Sequence, residues 1–265
     1  MYKAYTHSGL FHADDVFAWA AIKIAFGYYK LVRVDKVPDD IDDTDIVFDI
    51  GGGKFDHHKD ILDYRPNGIP YAAFGLIMRE FYPKMGLDED SYKYLDNIFI
   101  KKMDAYDNAY NDDPNVLSNA ITTFYPAWDK EDTEEAQMKA FNKATEVAIT
   151  ILRSHIDNAN AKIRAKKLAD DLSHEVYHTV VFLDQFMPIS GMFRNNPEVH
   201  WIGFPSNRGG YNISSVPGPY ARNKSLLPKV HSSELPEGMK FMHIGRFLAN
   251  FDSKESAMKY AEQYL

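Results

Sequence analysis

The order of segments in the first fifty residues restricts the fold of this chain most. Tyr2–Thr6 predicts a strand, Asp14 to about Phe26 a helix, Leu31–Val34 a second strand and Asp45–Asp49 a third. Alternating β and α runs of this kind build a parallel sheet covered by helices. Ligands in such sheets gather beyond the carboxyl ends of the strands. His7 and Asp49 both stand where a strand has just ended.

Those two strand ends carry the chemistry. The first opens His7-Ser-Gly-Leu-Phe-His12-Ala-Asp14-Asp15, and the second opens Asp49-Ile-Gly-Gly-Gly-Lys-Phe-Asp56-His57-His58. If His7 ends a strand and Asp14 opens a helix, the turn between them can fold His7, His12 and Asp14 toward one point. The N–H groups of that helix start add positive potential for a phosphate. In the second run one imidazole can bind metal while its neighbour faces a substrate, and Asp56 can hold the ligating imidazole through its second nitrogen. Imidazoles mixed with carboxylates suit Mn²⁺-like or Zn²⁺ ions in a hydrolytic site. Asp104 and Asp107, three apart on one helix, could each complete the set. Gly51, Gly52 and Gly53 are followed by no Gly-Lys-Ser/Thr, and no G-x-G-x-x-G occurs, which excludes a nucleotide-fold P-loop.

A chain of 265 residues allows one large α/β domain, or one of about 120–150 residues with a smaller companion. A net charge of −8 argues against a broad basic surface for nucleic acid, though not against a local basic channel. The absence of cysteine removes disulfides, Cys-ligated zinc, iron–sulfur clusters and thiol nucleophiles. The most apolar stretch, Val16–Tyr29, carries Lys23 and is shorter than the roughly 20 residues a membrane span needs. No signal-like apolar segment precedes the first strand. The expected location is cytoplasmic, without a membrane partner.

Farther along, Pro66-Asn-Gly-Ile-Pro70 marks a loop before a helix over Tyr71–Tyr82, and a further helix is expected from Ser91 to about Asp107. Asp132–Ser173 is the longest candidate helix, with Phe141, Ala144, Ala148, Leu152, Ile156 and Ala159 at threes and fours. At roughly 60 Å it is expected to kink or break. Thr179–Leu183, Val199–Phe204 and Tyr211–Ser215 predict strands, and Ser253–Leu265 a closing helix with Ser253 as N-cap. The expected organisation is an α/β domain over 1–130, a long connector helix over 131–175 and a smaller α+β substrate-binding domain over 176–265.

At this point the residues match a family. His7-x4-His12-x-Asp14, Asp49, Asp56-His57-His58 and Asp104-x-x-Asp107-Asn108 resemble the four motifs of the DHH (RecJ-like) phosphoesterase superfamily. Within it the chain is similar to the melanocyte-proliferating-gene (Myg) family. That likeness rests on Thr6–Asp14, Tyr71-Ala-Ala-Phe-Gly-Leu-Ile77, Leu183-Asp-Gln-Phe-Met-Pro188 and Phe241-Met-His243. The resemblance implies a parallel-sheet DHH-type domain and two divalent ions, most often Mn²⁺, with Mg²⁺ or Zn²⁺ as alternatives. It makes His7, His12, Asp14, Asp49 and His57 metal ligands, with Asp104 favoured as the last and Asp107 as the other candidate. Asp49 would bridge both ions, and His58 would contact the phosphate. The superfamily's usual Asp-x-Asp is His12-x-Asp14 here, which lowers the negative charge of the site. Family members tend to have an Arg before a Leu-Pro and a Trp-Gly after it. Here Lys224 precedes Leu227-Pro228 and Val230-His231 follows, so a point charge replaces a bidentate fork.

The expected activity is metal-dependent hydrolysis of a phosphodiester, most simply 3′→5′ exonucleolysis of RNA or short oligonucleotides. Two ions would generate hydroxide from a bridging water for in-line attack, while the second ion and His58 stabilise the developing charge. Arg222, Lys224, His243 and Arg246 are candidates for distal phosphates, and Arg65 and Asn67 for substrate contacts in the loop after the His pair. Two rivals stand beside this reading. One is a small-molecule phosphoesterase or pyrophosphatase with the same site, and the other is a non-catalytic metal-dependent binding protein. Oligomerisation is left open.

Overall fold

The computed structural model describes residues 2–110, 115–172, 176–188, 190–218, 223, 225–230 and 235–265. The chain divides into two compact units, residues 1–160 and 161–265. Mixed α/β architecture, with a three-stranded parallel sheet, a long helix and a smaller second unit built on a six-stranded sheet, agrees with the sequence.

In the first unit β1 (Lys3–His7) lies between β2 (Lys30–Val34) and β3 (Ile46–Val47), parallel to both. The helix α1 (Ala13–Phe26) buries every residue from Ala13 to Ile22, two aspartates included. A helix apolar nearly all round is a helix enclosed on all sides, and the left-handed Gly27 (φ 77°) ends it. Against it packs α2 (Ala73–Phe81), with Phe17 set against Phe74 and Phe99 at 5.4 and 5.6 Å. The expected Ser91–Asp107 helix is a composite of α3 (Glu89–Leu95), a π turn over Asp96–Ile100 and α4 (Lys101–Asp107). Two further helices are α5 (Val116–Thr122) and α6 (Glu134–Leu172). The expected break in α6 is absent. Its 39 residues form one helix, because the stretch contains no Pro or Gly. Its apolar row Phe141, Ala144, Ala148, Leu152, Ile156 and Ala159 joins the first unit's core.

The second unit holds β4 (Val176–Tyr177), β5 (Val180–Phe182), β6 (Trp201–Pro205), β7 (Tyr211–Ser215), β8 (Met239–Met242) and β9 (Leu248–Phe251). They lie in the order β4-β5-β6-β7-β9-β8, with only the β5–β6 pair parallel. The last helix, α7 (Lys254–Tyr264), buries Ala257, Tyr260 and Ala261, and Ser253 caps it by accepting the Ser256 N–H at 3.1 Å. Among the described residues no helix is long and apolar enough to cross a membrane.

Candidate metal centre

Backbone geometry at two strand ends builds the site. Where β1 ends, Gly9 turns the chain at φ 75°, and Arg33 of β2 pins the turn by donating to the His7 and Gly9 carbonyls at 3.1 and 2.7 Å. Beyond β3, Asp49 itself takes a left-handed conformation (φ 55°), followed by left-handed Gly51 and Gly52. Aspartate tolerates that region better than most residues, and non-glycine residues held there cluster at functional sites. The tight turn brings the Gly52 N–H onto Asp56 Oδ2 at 2.6 Å. A side chain at position 51 would meet Val37 at 3.0 Å.

Three overlapping groups of acidic and imidazole atoms result: His7 with Asp15 and Asp49; Asp49 with Asp56, His57 and His58; and Asp14 with His57 and Asp107. Asp49 links the first two groups and His57 the last two. His7 donates from Nδ1 to the Ser8 carbonyl (2.9 Å), which leaves Nε2 facing Asp15 Oδ2 and Asp49 Oδ2, each 3.3 Å away. The His57 ring bridges Asp49 Oδ1 (3.4 Å from Nδ1) and Asp107 Oδ2 (3.1 Å from Nε2), with Asp14 Oδ2 at 3.9 Å. Asp56 Oδ1 accepts both the backbone N–H of His58 (2.9 Å) and its ring Nδ1–H (3.0 Å). The carboxylate therefore orients His58, whose side chain is 62% exposed, rather than the nearly buried His57.

Burial and crowding of like charge shift these groups. Burial, then the charges of Asp107, Asp49 and Asp104, holds Asp14 well above the carboxylate range. Burial pushes Asp15 up to about 7 against the pull of His7 and Arg33. For His7 burial opposes the charge, but the Asp49 hydrogen bond and Asp15 outweigh it and raise the imidazole to about 9. His57 is raised in the same way by Asp107 and Asp49. Asp56 is held low, since hydrogen bonds from His58 and Gly52 overcome its burial.

The residues fit a divalent cation. Asp15 Oδ2, Asp49 Oδ1 and His57 Nδ1 are buried without a hydrogen-bond partner among the described residues, a costly state unless something positive lies between them. Oxygen and imidazole donors are the set that Mn²⁺, Mg²⁺ or Zn²⁺ accepts. With Nδ1–H held by the Ser8 carbonyl, Nε2 is the nitrogen that faces inward, and a cation bound there would displace its proton.

Several sequence candidates take other places. Asp104 is fully buried and engaged elsewhere: its Oδ2 accepts from Arg65 Nη2 at 2.6 Å and its Oδ1 from the Gly75 N–H at 3.1 Å. Of the two α4 aspartates, Asp107 stands with His57. Three helical positions differ by about 60° in direction, enough to aim one side chain at α2 and the other at the site. Arg65, expected at substrate, is a buried structural cation. Its donors are used by Asp96, Asp104 and the Pro70 carbonyl, and its Cζ lies 3.8 Å from the centre of the Tyr71 ring. Asn67 sits in an exposed turn, where its Oδ1 accepts the Ile69 N–H. His12 belongs to none of the three groups; it precedes α1, its N–H donates to Asp15 Oδ1 (2.8 Å), and its ring is 6.0 Å from that of His7. With His58 it lines both cavities flanking the centre. Asp15 is the residue that spacing alone missed, although its position three beyond His12 is the capping-box signal. Asp14 has a second duty: its two oxygens accept the N–H groups of Ala73 and Phe74 at 2.9 and 2.8 Å, capping α2 from outside.

In the second unit His243 and Arg246 line a groove of about 840 Å³ with Lys229, Lys240 and exposed Phe241 and Ile244. His243 Nδ1 accepts the Gly245 N–H at 3.0 Å, and Arg246 is left-handed (φ 54°). Arg222 and Lys224 lie outside the described residues.

The chain is 27% identical to the MYG1 protein of Schizosaccharomyces pombe over 71% of its own length and 69% of that protein. It is 24% identical to the MYG1 protein of Saccharomyces cerevisiae (98% and 94%) and 25% identical to the MYG1 exonuclease of Mus musculus (98% and 84%). No solved structure matches it. The MYG1 exonuclease family model, described as an uncharacterised protein family (UPF0160), spans residues 3–265, and the chain belongs to that family.

Proposed function

We propose that this protein is a metal-dependent phosphodiester hydrolase acting as a 3′→5′ exonuclease on RNA or short oligonucleotides. The observation that carries the proposal is the set of three overlapping Asp/His groups with buried, unpartnered ligand atoms at adjacent strand ends. Family relatives named exonucleases support the substrate class, and the motif resemblance to the DHH phosphoesterases supports two ions, Mn²⁺ first. His7, Asp15, Asp49, Asp14, His57 and Asp107 would hold them, with His12 at the rim. Bound there, such ions supply Lewis acidity and lower the pKa of a water.

The chain's own residues do the rest. Asp49, shared between groups, ties the two halves of the centre. Asp56 fixes the His58 tautomer with hydrogen on Nδ1, so Nε2 is the open nitrogen at which a proton can be taken up or returned to a substrate oxygen. Arg33 and the Gly9 turn keep the His7 imidazole aimed inward. Within the second unit, His243 and Arg246 stand as candidates for binding phosphate in their own groove.

The test is Mn²⁺-dependent cleavage of an end-labelled RNA oligonucleotide, run beside a dinucleotide and pyrophosphate. Mononucleotide steps from the 3′ end are the expected result. Turnover of the small substrates alone would replace the exonuclease reading by small-phosphoester hydrolysis. Stoichiometric metal without turnover of any of them would overturn hydrolysis and leave a binding protein.

A further inference from the structure

The metal centre is flanked by two cavities that share His12 and His58 as their common wall. One, of about 500 Å³, runs over His7, Asp49 and the Gly51-Gly52 turn. The other, of about 370 Å³, runs from Asp14, His57 and Asp107 toward α4 and α5. Neither is lined by a lysine or an arginine among the described residues. A polyanion such as pyrophosphate would find no side-chain cation there beyond imidazole.

The smaller cavity has a different lining. Beside the acidic and imidazole groups it is lined by Tyr106, Ser118, Asn119 and Thr122, all neutral hydrogen-bonding side chains. Two of them form a fixed unit: Tyr106 of α4 donates its hydroxyl hydrogen to Asn119 Oδ1 of α5 at 2.7 Å. That bond occupies the carbonyl end of the amide and leaves the Asn119 –NH₂ group, which has no partner among the described residues, as the end that is free to donate. Thr122 Oγ1 is committed to the Asn119 carbonyl within α5, and Ser118 is buried where Asn119 is exposed. An uncharged donor, lining the same small cavity as a phosphoester centre, matches the polyhydroxyl part of a substrate whose phosphate is at the centre.

The geometry points to the Tyr106–Asn119 pair as the sugar-reading element of this site, with the Asn119 amide donating to a ribose hydroxyl and making the substrate a ribonucleotide ester rather than a deoxyribonucleotide or an inorganic polyphosphate. This deepens the phosphodiesterase reading and rests on it. Tyr106 is a positioning residue, which acts by holding the amide, and Asn119 is the specificity determinant. A site built to bond a substrate hydroxyl disfavours the analogue that lacks it.

The experiment titrates adenosine 5′-monophosphate and 2′-deoxyadenosine 5′-monophosphate into the full chain by calorimetry in Mn²⁺, and measures kcat/KM on oligoribonucleotides ending in a ribose or a 2′-deoxyribose. The expected preference for the ribose form is about fivefold, one net hydrogen bond, in both assays. Asn119→Ala, at an exposed position of α5, is expected to abolish that preference by weakening only the ribose ligand. Tyr106→Phe is expected to reduce it without changing affinity for the deoxy ligand. Equal binding of the two nucleotides by the unaltered protein, no measurable binding of either, or a preference that survives Asn119→Ala would each overturn the assignment. Ribose-selective binding lost in Asn119→Ala, together with no cleavage of RNA, would uphold it and reject the exonuclease reading instead.

Discussion

Arg65→Met separates a structural cation from a substrate contact. The Arg65 side chain is 3% exposed and makes charge-assisted bonds to Asp96 (2.6 Å) and Asp104 (2.6 Å), with a further bond to the Pro70 carbonyl (3.0 Å). Methionine keeps apolar bulk and removes every donor. Asp104, fully buried, would then retain no charged partner, only backbone N–H groups at the start of α2, Gly75 at 3.1 Å among them. Removing one partner of a buried pair leaves an uncompensated charge and costs about 3–5 kcal/mol, a fall in Tm of about 10 °C for a unit of this size. The cost depends on pH in a definite direction. Burial already raises Asp104 against the pull of Arg65, and without the cation it rises further. The folded variant then holds a proton that the unfolded chain, titrating near 4, has released. Between those two values the folded state binds more protons, so its stability falls as pH rises. Asp104 titrates at about 7 in the unaltered protein, so the deficit relative to it should grow above pH 7, be largest at pH 8 and level off toward pH 5. Urea unfolding across that range, in chelator so that metal occupancy does not enter, measures it. A deficit under about 1 kcal/mol, or one that grows on acidification, would refute the reasoning. So would a raised KM in a variant of unaltered stability, which would return Arg65 to the substrate.

Gly75→Ala places a Cβ 1.8 Å from Asp104 Oδ2 and 2.9 Å from the Tyr71 ring, so α2 must shift. We expect a loss of about 1–3 kcal/mol in thermal unfolding and weaker Mn²⁺ binding by calorimetry, because the same helix start bonds Asp14. Asp49→Ala and His57→Ala should keep the far-ultraviolet dichroism of the fold while losing the Tm increase that Mn²⁺ confers, an increase worth about 2.7 kcal/mol at a hundredfold excess over Kd. Substantial turnover in either variant would contradict the two-metal reading. His58→Ala should bind Mn²⁺ with near-native affinity but hydrolyse about a hundredfold more slowly. A loss of metal there would mean that the two adjacent imidazoles have exchanged roles.

Much of this protein is legible in the chain because the information is local. The strands ending at His7 and near Asp49, the α1 segment beginning beside Asp14 and the row of small and apolar residues along α6 follow from short-range periodicity. Left-handed turns at Gly9, Gly51 and Gly52 then carry the ligand-bearing residues over the ends of their strands. Shorter elements escaped for the converse reason. The α5 helix and the β8 and β9 strands are short and partly exposed, so pattern alone does not separate them from loop. Their partners, distant in sequence, stabilise them.

Carboxylate roles lie beyond any local pattern. Asp14 and Asp15 are adjacent and equally buried, yet one caps α2, some sixty residues away, and the other meets His12 and His7. Asp104 and Asp107 read alike on a helix surface. The guanidinium of Arg65 and the missing Cβ of Gly75 capture the first, while His57 faces the second. By itself the sequence determined which residue types would gather at the strand ends, since that needs only backbone direction and turn chemistry. Tertiary packing decided which oxygen of which aspartate is left free for a cation, because a buried carboxylate takes its role from whichever donors long-range contacts bring to it.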